Sequence, residues 1–250
     1  ICTTSEGGKV MIGSFRGSKG RAEALEHILL RLKENGIEAD EIIHTKEGEI
    51  LVQEVDETWY YARKYIEGRE CETRSRDDVL AAVGELAKLH LALQEVQDEN
   101  LKNGGQDYAM EVFRHNRELK KVRNYIHGKH KKNEFEMIFM RSYEIFLKQA
   151  LDVERRLIKQ TGQQKQSEKQ QQTEKQNQSG EQETTGQETA IYGICHGDFN
   201  QHNVLFARGR IIITNFEQAH YDVLVGDLAH FLRKLMEKHN FNIGLATDML

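Results

Sequence analysis

The 250 residues contain no proline. Average usage of about 5% would place roughly a dozen in a chain of this length, and nothing in the sequence gives a physical reason for the absence. Cysteine is scarce. Cys2, Cys71 and Cys195 stand far apart, form no metal-ligand spacing and suggest no disulfide framework, so a reducing site of synthesis is the plain reading. No run of eighteen apolar residues occurs, and no membrane span is expected. There is no cationic excess: 35 Lys and Arg face 40 Asp and Glu, for a net charge of -5. That balance argues against a general nucleic-acid binder, which gains affinity by releasing counterions. The start, Ile1-Cys2-Thr3-Thr4, shows neither a charged lead nor an apolar run, so no secretory leader is expected. The missing initial Met and the stop at Asp248-Met249-Leu250 suggest a fragment.

What is present fits one large domain or two lobes of a soluble, somewhat polar protein, with 38% hydrophobic and 30% charged residues. Lys9 to Arg16 reads as a strand, and Ala24, Leu25, Ile28, Leu29 and Leu32 give a helix over 21–35 that stops at Gly36. Ile42 to Thr45, the turn Glu47-Gly48 and Ile50 to Val52 predict a hairpin, and the aromatic-rich Trp59 to Ile66 a further strand. Val79, Val83, Leu86, His90 and Leu93 share one face of a helix over 77–93, which makes His90 a core histidine rather than a ligand. A polar loop with Gly104-Gly105 leads to a basic helix over 111–126 carrying Arg114, Arg117, Lys120, Lys121 and Arg123. Such a patch can attract phosphates or acidic partners, although a charge run is usually a solvated face. Another helix covers 135–157. From Gln160 to Thr189 no large apolar residue occurs, so this low-complexity insertion is expected to be disordered or marginally helical.

The chemistry concentrates in Ile194-Cys195-His196-Gly197-Asp198-Phe199-Asn200-Gln201-His202-Asn203-Val204-Leu205-Phe206, followed by Ile211-Ile212-Ile213-Thr214-Asn215-Phe216-Glu217. A tight Gly turn carries an acid, an amide follows five residues later, and two short strands joined at Arg208-Gly209-Arg210 end in a second amide. Phosphoryl transfer from a nucleotide needs this layout: a carboxylate to orient the attacking hydroxyl, here Asp198, and metal-holding groups, here Asn203 and Asn215. A bland alternative is a turn in which Asp198 caps the loop and the Asn tolerates a left-handed backbone. A third reading is a metal hydrolase using His196, Asp198 and His202.

The spacing His-x-Asp-x-x-x-x-Asn with a hairpin behind it resembles the catalytic loop of the aminoglycoside and choline phosphotransferases, relatives of the protein kinases. The wording HGDFNQHNVLF with ITNFE resembles the spore-coat (CotS-type) branch most closely, and Leu86 to His90 resembles the first large-lobe helix of the superfamily. The resemblance implies an α+β, two-lobed, protein-kinase-like fold: a partial small β-rich lobe over 1–66, a hinge over 67–70, and a helical large lobe over 71–250 with the catalytic-type loop at 194–217. It further implies that the backbone of Tyr65, Ile66 and Glu67 meets the adenine of ATP, that Mg2+ accompanies it if the protein is active, and that His196 and Asp227 brace the loop. By position, Asp227 would also be the N-cap of a helix over 227–238.

Three departures point to weakened catalysis. Asn215 stands where these phosphotransferases usually have Asp, and an amide brings no charge to a hard cation. Gly13 falls where the resemblance places a phosphate-pairing Lys, and Lys9 lies four residues away from that position. This leaves Glu23 or Glu26 on the next helix without a lysine to orient. The strands that would cover the nucleotide phosphates are also missing from this chain. The expectation is a kinase-like protein of the spore coat, made in the mother-cell cytoplasm, with other coat proteins as partners and phosphotransfer weakened or lost. The alternative is an active ATP- and Mg2+-dependent phosphotransferase acting on a hydroxyl acceptor.

Overall fold

A computed structural model describes residues 1–4, 7–55, 57–102, 108–174, 191–241 and 243–249. Strands β1 (Cys2–Thr3) and β2 (Lys9–Phe15) pair antiparallel and lead into helix α1 (Lys19–Glu34). Ser18 caps α1 by accepting the Arg21 N–H at 3.2 Å, and Ala24, Leu25, Ile28, Leu29 and Leu32 form its buried stripe. Then come β3 (Glu38–Ala39), β4 (Ile42–Ile43), β5 (Val52–Gln53), β6 (Trp59–Lys64) and β7 (Arg69–Glu70). The first sheet runs β1-β2-β6-β4, with β5 also on β6. Its register sets Met11 opposite Arg63 and Gly13 opposite Tyr61, so these four positions share a face.

The predicted hairpin over 42–52 is not a ladder. β4 pairs with Ala62 and Arg63 and β5 with Trp59 and Tyr60, so both lie along one edge of β6. A turn does close between Thr45 and Glu49, whose N–H to O distance is 2.9 Å. Beyond it Ile50 and Leu51 sink into the core rather than pair.

Helix α2 (Arg76–Ala92) begins at the cap Ser75, which accepts the Asp78 N–H at 3.3 Å. A 3-10 turn at Glu99–Leu101 follows and buries Leu101 completely. The expected Gly104-Gly105 loop lies outside the described residues. Helices α3 (Tyr108–His127) and α4 (Glu134–Glu174) pack together within a unit of their own, Gly105–Ala190. Asn133 and Glu136 start α4 with reciprocal bonds of 2.8 and 2.9 Å, a capping box. Buried Asn116 clasps the pair by donating to the Ala150 carbonyl at 3.2 Å and the Glu154 carboxylate at 2.7 Å. The α4 backbone runs on to Glu174, well into the Gln-rich insertion; the remainder of that insertion, 175–189, lies outside the described residues.

The other unit, Ile1–Gly104 with Ile191–Leu250, holds the main core. Strands β8 (Tyr192–Cys195), β9 (Val204–Ala207), β10 (Arg210–Ile213) and β11 (His220–Val223) precede helices α5 (Val225–Lys238) and α6 (Ile243–Met249). β9 and β10 form the expected hairpin, with β3 added in parallel to β10 and β7 antiparallel to β9. β8 pairs with β11, a strand the sequence did not announce. Ile28, Leu32, Val79, Leu89, Ile194, Phe199, Val204, Ile213 and Phe231 belong to one buried cluster beneath these elements. Burying each large side chain contributes about 1.5–3 kcal/mol.

Candidate active site

β8 delivers the chain into the loop, and Gly197 makes the turn. Its φ is +82°, and a Cβ there would lie 2.1 Å from the Gln218 carbonyl oxygen, so only glycine fits. The fully buried His196 ring lies against Phe216 and Phe199, at centroid distances of 4.6 and 5.9 Å. Its Nε2–H donates to the Thr214 carbonyl at 3.0 Å and its Nδ1 accepts the Asp198 N–H at 3.2 Å, which fixes one neutral tautomer. Burial lowers its pKa.

Asp227 lies in the first turn of α5, one turn from where an N-cap would sit. The cap position is Leu224, so the expectation that Asp227 caps the helix is corrected. Its carboxylate turns back to the loop instead, accepting the His196 N–H at 2.7 Å and the Gly197 N–H at 2.9 Å. His90 Nε2 lies 3.0 Å from the same group, so this core histidine has a polar job. Burial alone would raise the Asp227 pKa; the bonds from His90, the nearby His196 and the two N–H groups outweigh it and hold the carboxyl below its usual range.

Asp198 is half-exposed and held by two buried amides. Asn200 Nδ2 donates to Oδ1 at 2.9 Å, and Asn203 Nδ2 donates to the Asp198 carbonyl at 2.8 Å and to Oδ2 at 3.2 Å. Asn203 is itself fixed where its carbonyl accepts the Thr214 N–H at 2.9 Å. A carboxylate clamped in this way can orient a hydroxyl. His230 Nε2 stands 3.8 Å from Asp198 Oδ1, beyond hydrogen-bond reach, and is buried without a partner.

The site's unforeseen member is Arg63. From β6 its Nη1 donates to Asp40 at 2.7 Å and approaches the Asn215 side-chain oxygen at 3.4 Å. Asp40 also accepts the Asn215 N–H at 2.5 Å, holding Asn215 in a left-handed conformation with φ 71°. Burial would lower the Arg63 pKa; the charge and hydrogen bond of Asp40 together with the nearby Tyr61 and Glu217 outweigh it, and the guanidinium titrates above its ordinary value. Beside it the Tyr61 hydroxyl donates to Glu217, and its pKa is driven up by burial and by that bond. Asn215 therefore presents its oxygen to a permanent cation. A divalent ion held by Asn215 would have to displace the guanidinium from that oxygen, with the Asp40 and Glu217 carboxylates beside it.

A sequence model of the phosphotransferase enzyme family matches residues 9–246. The chain belongs to that family. No curated protein matches it in sequence. An aminoglycoside phosphotransferase from Alicyclobacillus acidocaldarius superposes with a TM-score of 0.73 at 17% identity, covering 99% of this chain and 68% of that one. An amicoumacin kinase in complex with AMP-PNP, Ca2+ and Ami gives a TM-score of 0.59 at 14% identity, covering 99% of this chain and 66% of that one. At these identities the likeness carries the fold, and the chain spans about two thirds of the length of both structures.

Within this family member the other sequence-derived sites separate. The N–H of Tyr65 is taken by the Lys9 carbonyl at 3.1 Å. Tyr65, Ile66 and Glu67 line a cavity of about 940 Å³ with Lys33, Ile37 and Arg208, and Asp198, Asn203 and Asn215 are not among its walls. Gly68 lets this segment pass β9, since a Cβ would meet the Phe206 carbonyl oxygen at 3.1 Å. Glu23 is exposed, and Glu26 pairs with His44 at 2.5 Å rather than waiting for a lysine. Lys9 reaches Glu67 at 3.9 Å and stacks over Tyr65. The metal-hydrolase reading fails on geometry: His196 is committed to Thr214, and His202 turns to Glu70 at 2.6 Å. Among the described residues no three His, Cys, Asp or Glu side chains converge as a metal site. No described helix is long and apolar enough to cross a membrane.

Proposed function

We propose that this phosphotransferase-family chain binds nucleotide and has weakened or lost phosphotransfer, serving as a structural or assembly component of a bacterial endospore coat. One observation carries the catalytic part. The loop around Asp198 is assembled, yet its phosphate-facing end offers an uncharged Asn215 opposite Arg63, and Gly13 where a lysine would pair with phosphate. Electrostatic stabilisation of the transferring phosphoryl group is the largest part of such catalysis, so removing a metal ligand and a cation slows the chemistry more than binding. The coat assignment, synthesis in the mother cell and other coat proteins as partners rest on the resemblance of HGDFNQHNVLF and ITNFE to CotS-type proteins.

A second reading is an active ATP-dependent kinase for a small hydroxyl-bearing acceptor. The amide clamp on Asp198 favours it, as does the AMP-PNP and Ca2+ in the structurally similar amicoumacin kinase. ATP consumption with Mg2+, measured for the chain and for Asp198→Ala, decides between them. The proposal expects equal background rates. Turnover that disappears in the variant establishes the second reading. Thermal shift with ATP tests nucleotide binding alone, since a ligand at a hundred times its dissociation constant stabilises by about 2.7 kcal/mol.

A further inference from the structure

A nucleotide triphosphate brings several negative charges, and a site that holds it must supply compensating cations. In this chain the two ordinary sources at the strand end are compromised: position 13 is glycine and position 215 an amide. Lys9 is drawn away to Glu67 and Tyr65. A charge is nevertheless present. Arg63 shares the inward face of the sheet with Met11, Gly13 and Tyr61, and its side chain is only 15% exposed. The two arms of its fork differ. Nη1 is committed to Asp40 at 2.7 Å, whereas Nη2 meets the Met11 thioether at 3.3 Å, a weak acceptor, and Glu217 at 4.0 Å, beyond hydrogen-bond reach. Glu217 is itself engaged by the Tyr61 hydroxyl. Asp40 thus aims the guanidinium while leaving donors that no strong acceptor uses, a geometry suited to phosphate oxygens.

We propose that Arg63 takes the place of a divalent ion at Asn215, contacting the phosphate tail of the nucleotide so that the chain binds ATP without metal. This rests on the nucleotide-binding reading above and adds a requirement that reading does not make. The family members' metal-dependent chemistry would then be uncoupled here from binding, because the cation is part of the protein and cannot follow the phosphoryl group.

The test is calorimetric titration of the chain with ATP and with AMP, each in EDTA and in Mg2+. The proposal expects ATP affinities within about twofold of one another in the two buffers. It expects Arg63→Met to weaken ATP at least tenfold while leaving AMP, which lacks the tail, within about twofold. Arg63→Lys should recover part of the ATP affinity, and Asn215→Asp should make ATP binding respond to Mg2+. Equal losses for ATP and AMP in Arg63→Met would mean a structural ion pair and overturn the assignment. ATP binding by the unaltered chain that requires Mg2+ would overturn it without needing any variant to fold, and would leave the nucleotide-binding reading standing. Failure of both nucleotides to bind at millimolar concentration would overturn both.

Discussion

Asp227 and His196 show how single side chains set the loop. The Asp227 carboxylate satisfies two loop N–H groups and faces His90 from an almost fully buried position. Asp227→Ala leaves those donors unpaired, and breaking such a buried cluster costs about 3–5 kcal/mol; urea denaturation should show a loss of that size. His196 gives a pH signature. Its folded pKa lies below the ordinary 6.5 because burial disfavours the imidazolium. As pH falls through about 6.5 the unfolded chain takes up a proton the folded chain refuses, so stability from this site declines on acidification and is flat above. The Asp227 carboxyl, held below 3.8, has the same sign, present above 3.8 and lost as pH falls through its lowered value, in a window well removed from that of His196. Between pH 7.5 and 5.5 the urea midpoint of the chain should therefore drop further than that of His196→Gln, the opposite contribution of His220, whose pKa Asp222 raises, being common to both proteins.

At the scale of elements, the loop was legible in the sequence because its bonds are local. Asp198, Asn200 and Asn203 lie within five positions, so spacing alone announces that they meet. Arg63 was not legible, since its partners Asp40 and Asn215 are 23 and 152 positions away and an aromatic-rich strand over 59–66 does not say what its charged residues meet. Parity was the available signal: Arg63 is two residues beyond buried Tyr61 and so shares its face. β11 was missed because His220–Val223 has neither a turn nor an apolar run to mark it; it forms because β8 offers an edge. That edge explains Gly197, whose neighbour Gln218 leads into β11. Gly209, with φ +77° and open space around it, is a control of similar backbone shape. Gly209→Ala should cost about 1–2 kcal/mol from the left-handed backbone alone. Gly197→Ala adds a backbone collision, and should lose roughly twice as much in a guanidinium titration.

Across the whole molecule, periodicity sufficed for α1 and α2, whose apolar spacing exceeds any local competition, whereas the fate of the Gln-rich insertion depends on where α4 stops, and composition does not encode that. The two compact units also differ in what they bury. The larger unit sinks Ile28, Leu32, Val79, Leu89, Phe199 and Phe231 almost completely. Among the described residues of the helical pair, the buried apolar side chains are Ile126 and Tyr143, while Phe113, Tyr125, Phe135, Ile138, Ile145 and Phe146 remain exposed. Removing apolar surface from water is the main force that holds packed helices together, and a region with little of it opens at lower free energy than the rest. The polar clasp of Asn116 on Ala150 and Glu154 then becomes a large share of what keeps α3 on α4. Amide hydrogen exchange followed by mass spectrometry should find the amides of 112–158 exchanging at least tenfold faster than those of α1 and α2. Asn116→Ala should accelerate the helical pair further while leaving α1 and α2 unchanged. Uniform protection across both units, or a response to Asn116→Ala that spreads to the larger unit, would show that the two open as one cooperative unit.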